Sequence, residues 1–294
     1  MAENSGIEWT DHTFNPWIGC QKVSPACDAC YAEAWDKRFG GERWGPKAAR
    51  NRTSNANWNK PLQWNRKAEA EGVRYRVFCA SLADVFDNHP SIEPGWRVGL
   101  WSLIRSTPHL DWLLLTKRPQ NIAKFLPDDW GGGYPNVWLG TTVENQAFAD
   151  QRIPHLLSVP GRIRFVSAEP LLGRWYPEST PGWDEGYNCL YGTRRIDWVI
   201  AGGESGPSAR PTNPDWVRWL RGQCQAAGVP FFFKQWGEWF PYGGIDAQGC
   251  ENSVTRGEKP GLWHEWPAGG FSVRLGKKAS GRFLDGVLHD EYPS

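Results

Sequence analysis

Short apolar runs alternate with amphipathic stretches along most of the chain after residue 75. Each run is rich in β-branched or aromatic residues and apolar on both sides, as expected of a parallel strand buried between helices. The predicted strands are residues 76–80, 111–115, 136–140, 162–166, 197–201 and 230–233. The predicted helices are residues 94–106, 120–126, 146–158 and 213–228. This alternation predicts repeated βα units.

An earlier unit precedes this series. Residues 13–19 lead into a cysteine-containing loop, and residues 26–39 have the pattern of a helix that closes at Gly40-Gly41. Residues 40–75 show no clear period and are predicted to form an ordered loop or short helices, and residues 174–195 read as an insertion between strands. The units together predict an α/β fold, a partial or nearly closed (β/α) barrel of about six to seven parallel strands. A doubly wound open sheet is the alternative.

The C-terminal tail has a different character. It is rich in glycine and turn residues, and residues 284–287 form a predicted hairpin turn. The expected organisation is therefore a barrel of residues 1–240 and a β or loop extension of residues 241–294 packed on it.

Composition limits the classes of protein but selects no substrate. Hydrophobic residues make up 40% and charged residues 22%, which is usual for a globular protein. The sequence has no apolar run of the roughly 18 residues needed to cross a membrane, and its first residues lack a secretory signal, so we expect a cytoplasmic protein. The net charge of +1 gives no general electrostatic case for nucleic acid, and most of the 20 tryptophans are expected to fill the core.

Three of the seven cysteines, Cys20, Cys27 and Cys30, fall on one short loop. Their thiols could meet at one metal centre, either a four-iron cluster with one iron open to a further ligand or a zinc site. The zinc site would take His12 or His89 as its fourth ligand, and incidental thiols are the third alternative. The isolated cysteines are expected to be small buried hydrophobic residues: Cys79, Cys189, Cys224 and Cys250.

Polar residues follow six of the predicted strands. Because the active site of a parallel barrel lies at the carboxyl ends of its strands, these residues are candidate site residues. The acidic and hydroxyl groups could accept hydrogen bonds from an amino group or contact a ribose, and the cations could face a carboxylate or phosphate. The candidates are Ser81, Asp84, Lys117, Arg118, Thr141, Glu144, Ser167, Glu169, Gly202, Gly203, Glu204, Ser205, Lys234 and Gln235.

A three-cysteine loop after a first strand, followed by a series of βα units, resembles the radical S-adenosylmethionine (radical SAM) superfamily. The superfamily's usual loop has three and then two residues between its cysteines, and here the gaps are six and two. The resemblance implies a 4Fe-4S cluster on the three cysteines, with S-adenosylmethionine bound to the open iron and cleaved reductively to a radical. It places Ala29 and Tyr31 near the adenine, and Gly202-Gly203 with Glu204 is similar to the element that binds the methionyl amino group.

The remaining candidates are assigned to the cofactor or to the substrate by the chemistry of their side chains. Those assigned to the cofactor are Ser81, Asp84, Thr141, Glu144, Ser167, Glu169 and Ser205. Those assigned to the substrate are Lys117, Arg118, Lys234 and Gln235. The resemblance also implies a low-potential electron donor, flavodoxin or ferredoxin, as a partner.

A closer resemblance is to an uncharacterised family of phage and prophage proteins that carry the three cysteines. The matching segments are IEWTD at 7–11, NPWIGC at 15–20, LLTKRP at 114–119, SAEPL at 167–171, VIAGGESG at 199–206, FKQWG at 233–237 and GKK at 276–278. A phage setting would make a nucleotide or a nucleic-acid base a natural substrate.

Two other functions are alternatives. One is a zinc- or cluster-stabilised nucleic-acid-binding protein without radical chemistry, with tryptophans and the loop arginines Arg38, Arg43, Arg50 and Arg52 on the nucleic acid. The other is a zinc hydrolase with Glu169 as base, which lacks the usual histidine spacing.

Overall fold

A computed structural model describes residues 5–184, 186–242 and 262–294. Its main sheet has seven parallel strands in an α/β arrangement, which confirms the predicted partial (β/α) barrel. The strands are β1 (His12–Phe14), β2 (Trp17–Ile18), β3 (Asn51–Arg52), β4 (Tyr75–Cys79), β5 (Leu110–Thr116), β6 (Val137–Thr142), β7 (Ile163–Ala168), β8 (Trp198–Gly202), β9 (Phe231–Gln235), β10 (Trp239–Pro241), β11 (Trp263–Glu265), β12 (Phe271–Arg274), β13 (Phe283–Leu284) and β14 (Val287–Leu288). The main sheet has the order β1-β4-β5-β6-β7-β8-β9.

The helices that the structure describes are α1 (Tyr31–Arg38), α2 (Asn55–Trp58), α3 (Lys60–Glu71), α4 (Pro94–Arg105), α5 (Ile122–Phe125), α6 (Gln146–Leu157), α7 (Pro214–Ala227) and α8 (Lys277–Ser280). Five of them, α1 and α4 to α7, lie within the predicted helical ranges, whereas α2, α3 and α8 do not. Helix α7 shows why the prediction worked: the Asn213 side chain caps it by accepting from the Asp215 N–H, Pro214 is its first residue, and Gly228 ends it in the left-handed conformation.

Residues 40–75 contain more regular structure than the ordered loop or short helices that the sequence predicts. Helix α3 is a full 12-residue helix with proline near its start and Gly72 in the left-handed conformation at its end. Its buried residues include Trp64 and Asn65, so polar and aromatic residues share the buried face and blur the hydrophobic period.

The chain divides into two compact units. One comprises Met1–Thr142 with Arg152–Phe165, and the other comprises Val143–Gln151 with Val166–Ser294. In the first unit, aromatic rings fill the core, as expected: Phe14 packs edge-on against Trp58 and Trp112, each with ring centroids 5.6 Å apart.

The second unit also contains the C-terminal strands. Strands β10, β12 and β11 form an antiparallel sheet in that order, and β13 and β14 form the hairpin predicted at residues 284–287. Cys250 lies outside the described residues, and the division into a barrel of residues 1–240 and an extension of residues 241–294 stays a prediction. No helix in the described ranges has the length and apolar character needed to cross a membrane.

Candidate functional site

The three clustered cysteines occupy three different local structures on one loop. Cys20 follows β2 and its backbone forms an isolated β-bridge with Trp44. Cys27 ends a single 3-10 turn, and Cys30 is the N-cap residue of α1. All three are free thiols with partly exposed side chains. The other cysteines that the structure describes are buried, as predicted: Cys79, Cys189 and Cys224.

The start of the loop is attached to the residues that follow β4. The Gly19 N–H donates to the Leu82 carbonyl at 3.0 Å, and the Asn15 carboxamide accepts from the Leu82 N–H at 2.6 Å. The same carboxamide donates to the Ser81 hydroxyl at 3.0 Å, and the Tyr31 hydroxyl donates to the Ser81 carbonyl at 2.7 Å. Ser81 and Tyr31 are therefore joined by one direct hydrogen bond, and Ser81 is also bonded to Asn15.

Arg118, which follows β5, contacts the cysteine loop. One terminal nitrogen, Nη1, lies 3.7 Å from the Cys20 Sγ atom, and the other, Nη2, donates to the Gln21 carbonyl at 3.0 Å. The side chain is only 5% exposed. This buried cation therefore contacts a candidate metal ligand and the backbone next to it.

Two buried aspartates hold Arg118 in place. Asp84 accepts from the Arg118 Nη1 at 2.9 Å, from the Thr116 hydroxyl at 2.7 Å and from the Lys117 N–H at 3.2 Å. Asp87 has an oxygen 3.7 Å from the Arg118 Nε. The predicted candidates Asp84 and Arg118 thus lie together beside Cys20, and Lys117 is joined to Asp84 through its backbone N–H.

Two further buried arginines complete this cluster. Arg50 donates to Asp87 at 3.0 Å and to the Ala48 carbonyl at 2.6 Å. Arg97 donates to the carbonyls of Val85 and Asp87, and its guanidinium lies 3.8 Å from the centroid of the Phe125 ring. Neither Asp87 nor Arg97 was among the predicted site residues, and Arg50 was considered only as a surface contact to phosphate, which its burial contradicts. No spacing in the sequence links residues 50, 87 and 118, so pattern analysis could not find this cluster.

Burial governs the ionisation of Cys20. It raises the pKa of the Cys20 thiol to about 11, and the nearby Arg118 charge offsets only part of this effect. Burial alone would lower the pKa of Arg118, but the neighbouring Asp84 and Asp87 carboxylates help to outweigh burial, and the pKa lies above its ordinary value. Without a metal ion Cys20 is therefore a neutral thiol near pH 7.

The cysteine loop has suitable donors for a cluster, although the thiols are not gathered into a ligand set. Within the described residues, no three His, Cys, Asp or Glu side chains are grouped closely enough to hold a metal ion. The donors still fit an iron–sulfur cluster in kind: three free, partly exposed thiols on one loop, with a buried N–H donor near one of them. The loop would have to close around the metal.

The histidines considered for a zinc site have other partners. His89 uses both ring nitrogens, one with the Ser91 hydroxyl at 2.7 Å and the other with the Pro46 carbonyl at 3.1 Å. His12 stacks on Trp64 with ring centroids 4.3 Å apart. These contacts give no support to either histidine as a fourth zinc ligand.

A second polar group lies in the other unit, at the ends of β7, β8 and β9. Lys234 donates to Glu169 at 2.6 Å, and both side chains are about four-fifths buried or more. Glu204 receives two hydrogen bonds from the Arg210 guanidinium, at 2.6 and 2.9 Å, and one from the Arg210 N–H at 2.8 Å. These predicted candidates therefore form paired charges.

The neighbouring residues Gln235 and Gly203 also have close contacts within the protein. The Gln235 carboxamide donates to the Ser205 hydroxyl at 2.9 Å. A Cβ atom on Gly203 would collide with the Trp236 carbonyl, which gives a packing reason for this glycine. Its contact with a ligand, and that of Gly202, stays a prediction.

The remaining candidates are distributed over both units. The Thr141 hydroxyl donates to the Thr116 carbonyl at 3.0 Å in the first unit. Glu144 and Ser167 are buried in the second, and the Glu144 carbonyl accepts from the Leu172 N–H at 2.8 Å. Ala29 is partly exposed on the cysteine loop. Their predicted roles in cofactor binding are untested by these contacts.

Comparison with known proteins places the chain in a family. A family model described as "protein of unknown function (DUF5131)" matches residues 4–293, so this α/β protein belongs to that family. No curated protein matches the sequence. The resemblance to phage and prophage proteins stays a prediction.

Two solved structures are similar to the chain at low identity, and both are of spore photoproduct lyase. The first, a mutant with one cysteine replaced by serine, has 11% identity and a TM-score of 0.45, covering 74% of this chain and 73% of that chain. The second is a double mutant with bound AdoMet and dinucleoside spore photoproduct. It has 10% identity and a TM-score of 0.41, covering 89% of this chain and 67% of that chain.

Proposed function

We propose that this protein is a cytoplasmic iron–sulfur enzyme of the radical SAM type. Cys20, Cys27 and Cys30 would hold a 4Fe-4S cluster and leave one iron open to S-adenosylmethionine. The observation that carries the proposal is the placement of three partly exposed thiols on one loop, attached to the carboxyl end of β4 and contacted by Arg118 after β5. In a parallel (β/α) fold the carboxyl ends of the strands are the usual place for an active site.

The cluster, when bound, would supply the electron that cleaves S-adenosylmethionine, and the protein would supply binding and orientation. Asn15, Ser81 and Tyr31 fix the loop beside β4 through their hydrogen bonds. Asp84 and Arg118 form a buried ion pair next to Cys20. These residues would hold the ligands in place and keep water from one side of the site.

The substrate class that we propose is a nucleotide or a nucleic-acid base, and the electron donor is a flavodoxin or a ferredoxin.

The test is anaerobic purification and iron–sulfur reconstitution, followed by EPR of the reduced protein with and without S-adenosylmethionine. We expect about four irons per chain, an EPR signal that changes when S-adenosylmethionine is added, and release of 5′-deoxyadenosine. Cys27→Ala should lose the cluster. The matched control is Cys224→Ala, which removes a buried thiol on α7 and should retain the cluster.

Two results would contradict the proposal. One is a colourless protein that binds one zinc ion and cannot assemble a cluster, which would favour the nucleic-acid-binding alternative. The other is a cluster that survives Cys27→Ala, since the three cysteines would then not be its ligands.

A further inference from the structure

Arg118 is placed to act on the sulfur of Cys20. Its Nη1 lies 3.7 Å from the Cys20 Sγ, and its Nη2 donates to the carbonyl of the next residue, Gln21, at 3.0 Å. The fork of the guanidinium thus contacts both the candidate ligand and the backbone that carries it. A lysine at this position could not make both contacts with one fixed geometry.

The position of this cation is fixed by its surroundings. Asp84 accepts from Nη1 at 2.9 Å, and Asp84 is itself held by the Thr116 hydroxyl and the Lys117 N–H. Asp87 lies 3.7 Å from Nε and is paired with Arg50. The guanidinium is therefore rigid and removed from solvent, where a charge acts more strongly on its neighbours than at the surface.

The charges of this group of arginine and aspartate side chains do not cancel. Arg50 and Arg118 pair with the carboxylates of Asp87 and Asp84, and a third arginine, Arg97, donates to the backbone carbonyls of Val85 and Asp87, so these five side chains together carry one positive charge. A cysteine that binds a metal does so as a thiolate and carries a negative charge.

We propose that Arg118 is a positioning residue that orients Cys20 and raises the reduction potential of the cluster, an inference that rests on the proposed function. Hydrogen bonds to ligand sulfurs and nearby positive charge both stabilise the reduced, more negative cluster. This role differs from the substrate contact predicted for Arg118 from the sequence. Each of its three nitrogens already lies next to a protein atom, so a substrate anion would have to displace those contacts.

The experiment measures the midpoint potential of the reconstituted cluster by EPR-monitored redox titration in the full-length protein. Arg118→Gln removes the charge and should lower the potential, so that the reduced-to-oxidised ratio at the wild-type midpoint falls about tenfold, or about 59 mV for a one-electron couple. Arg118→Lys keeps the charge but loses the fork, and it should give a smaller fall. Both should still bind about four irons per chain.

The matched control is Arg74→Gln. Arg74 pairs with Asp111 at 2.7 Å near the start of β5, whereas Arg118 follows the end of the same strand. This control removes an arginine–aspartate pair of the same unit, and it should leave the potential unchanged. It separates a general loss of stability from an effect on the cluster.

The outcomes distinguish the two proposals. If wild-type protein holds no cluster, the proposed function fails and this inference fails with it. If wild-type protein holds a cluster and the Arg118 variants have the wild-type potential, the function stands and the inference is overturned. Should Arg118→Gln not fold, the comparison of Arg118→Lys with wild type decides, and an unchanged potential overturns the inference. Loss of the cluster from a folded Arg118→Lys would also overturn it, because Arg118 would then be needed for assembly.

Discussion

Gly19 joins β2 to Cys20 in a conformation that other residues rarely adopt. Its φ is +117°, and a Cβ atom built on it would lie 2.6 Å from the Arg43 carbonyl oxygen and 2.9 Å from the Arg50 Cδ. The first neighbour is backbone, and Arg50 is buried and held by Asp87, so neither can move easily. Replacing Gly19 by alanine should therefore strain the backbone and displace the start of the cysteine loop.

The size of the effect follows from two contributions. The unfavourable φ costs roughly 1–3 kcal/mol. The forced contact in a packed site costs roughly another 1–3 kcal/mol. Alanine also reduces the freedom of the unfolded chain, which returns about 0.4–1 kcal/mol. We therefore expect Gly19→Ala to lower the free energy of unfolding by about 1–5.6 kcal/mol.

The assay is urea denaturation of wild type, Gly19→Ala and the control Gly72→Ala. Gly72 also has a positive φ, +66°, but a Cβ atom there would have nothing within 4 Å. The control should lose at most about 1.6 kcal/mol, which is the usual cost of a left-handed alanine less the same gain from the unfolded chain. Gly19→Ala should also reduce the iron bound after reconstitution, whereas the control should not. Equal destabilisation by the two substitutions would refute the account of the contact at Gly19.

Two further predictions concern the second unit. Burial, followed by the charge of Arg221, holds the pKa of His289 below its ordinary value of 6.5, so the unfolded chain binds the proton more tightly. The free energy of unfolding should therefore fall as the pH drops below about 6.5. The denaturation midpoints at pH 5 and pH 7 should differ less in His289→Gln than in wild type. An equal difference in wild type and variant would count against this role of His289. For the Lys234–Glu169 pair, a double-mutant cycle with Lys234→Met and Glu169→Gln should give a coupling of about 1–3 kcal/mol, and additive effects of the two substitutions would rule out a strong pair.

The fold was largely predictable because its elements carry local signals. The ends of all six predicted strands lie within two residues of the observed ends, since each strand is an apolar run closed by polar residues. Helix α7 was recognised from Asn213, Pro214 and Gly228. Helix α3 was missed because Trp64 and Asn65 on its buried face obscure the apolar period, although Pro61 and Gly72 were available as start and stop signals.

The candidate site was predictable only in part. The three cysteines, Asp84 and Arg118 could be selected because each stands on a loop that a parallel fold brings to one edge of the sheet. The partners Arg50, Asp87 and Arg97 could not, because their contacts join positions 10 to 37 residues apart, and their pairing is decided by tertiary packing.

The cost of the buried charges bears on what they are for. A buried network of arginines and aspartates is weak evidence of stabilisation, because packed hydrophobic residues of similar volume are often as stable or more so. Stability alone therefore does not explain why a buried Arg118 contacts the cysteine loop. Under the proposed function Cys20 would bind the metal as a thiolate, and its negative charge would lie next to the Arg118 guanidinium, whose Nη1 is 3.7 Å from the Cys20 Sγ.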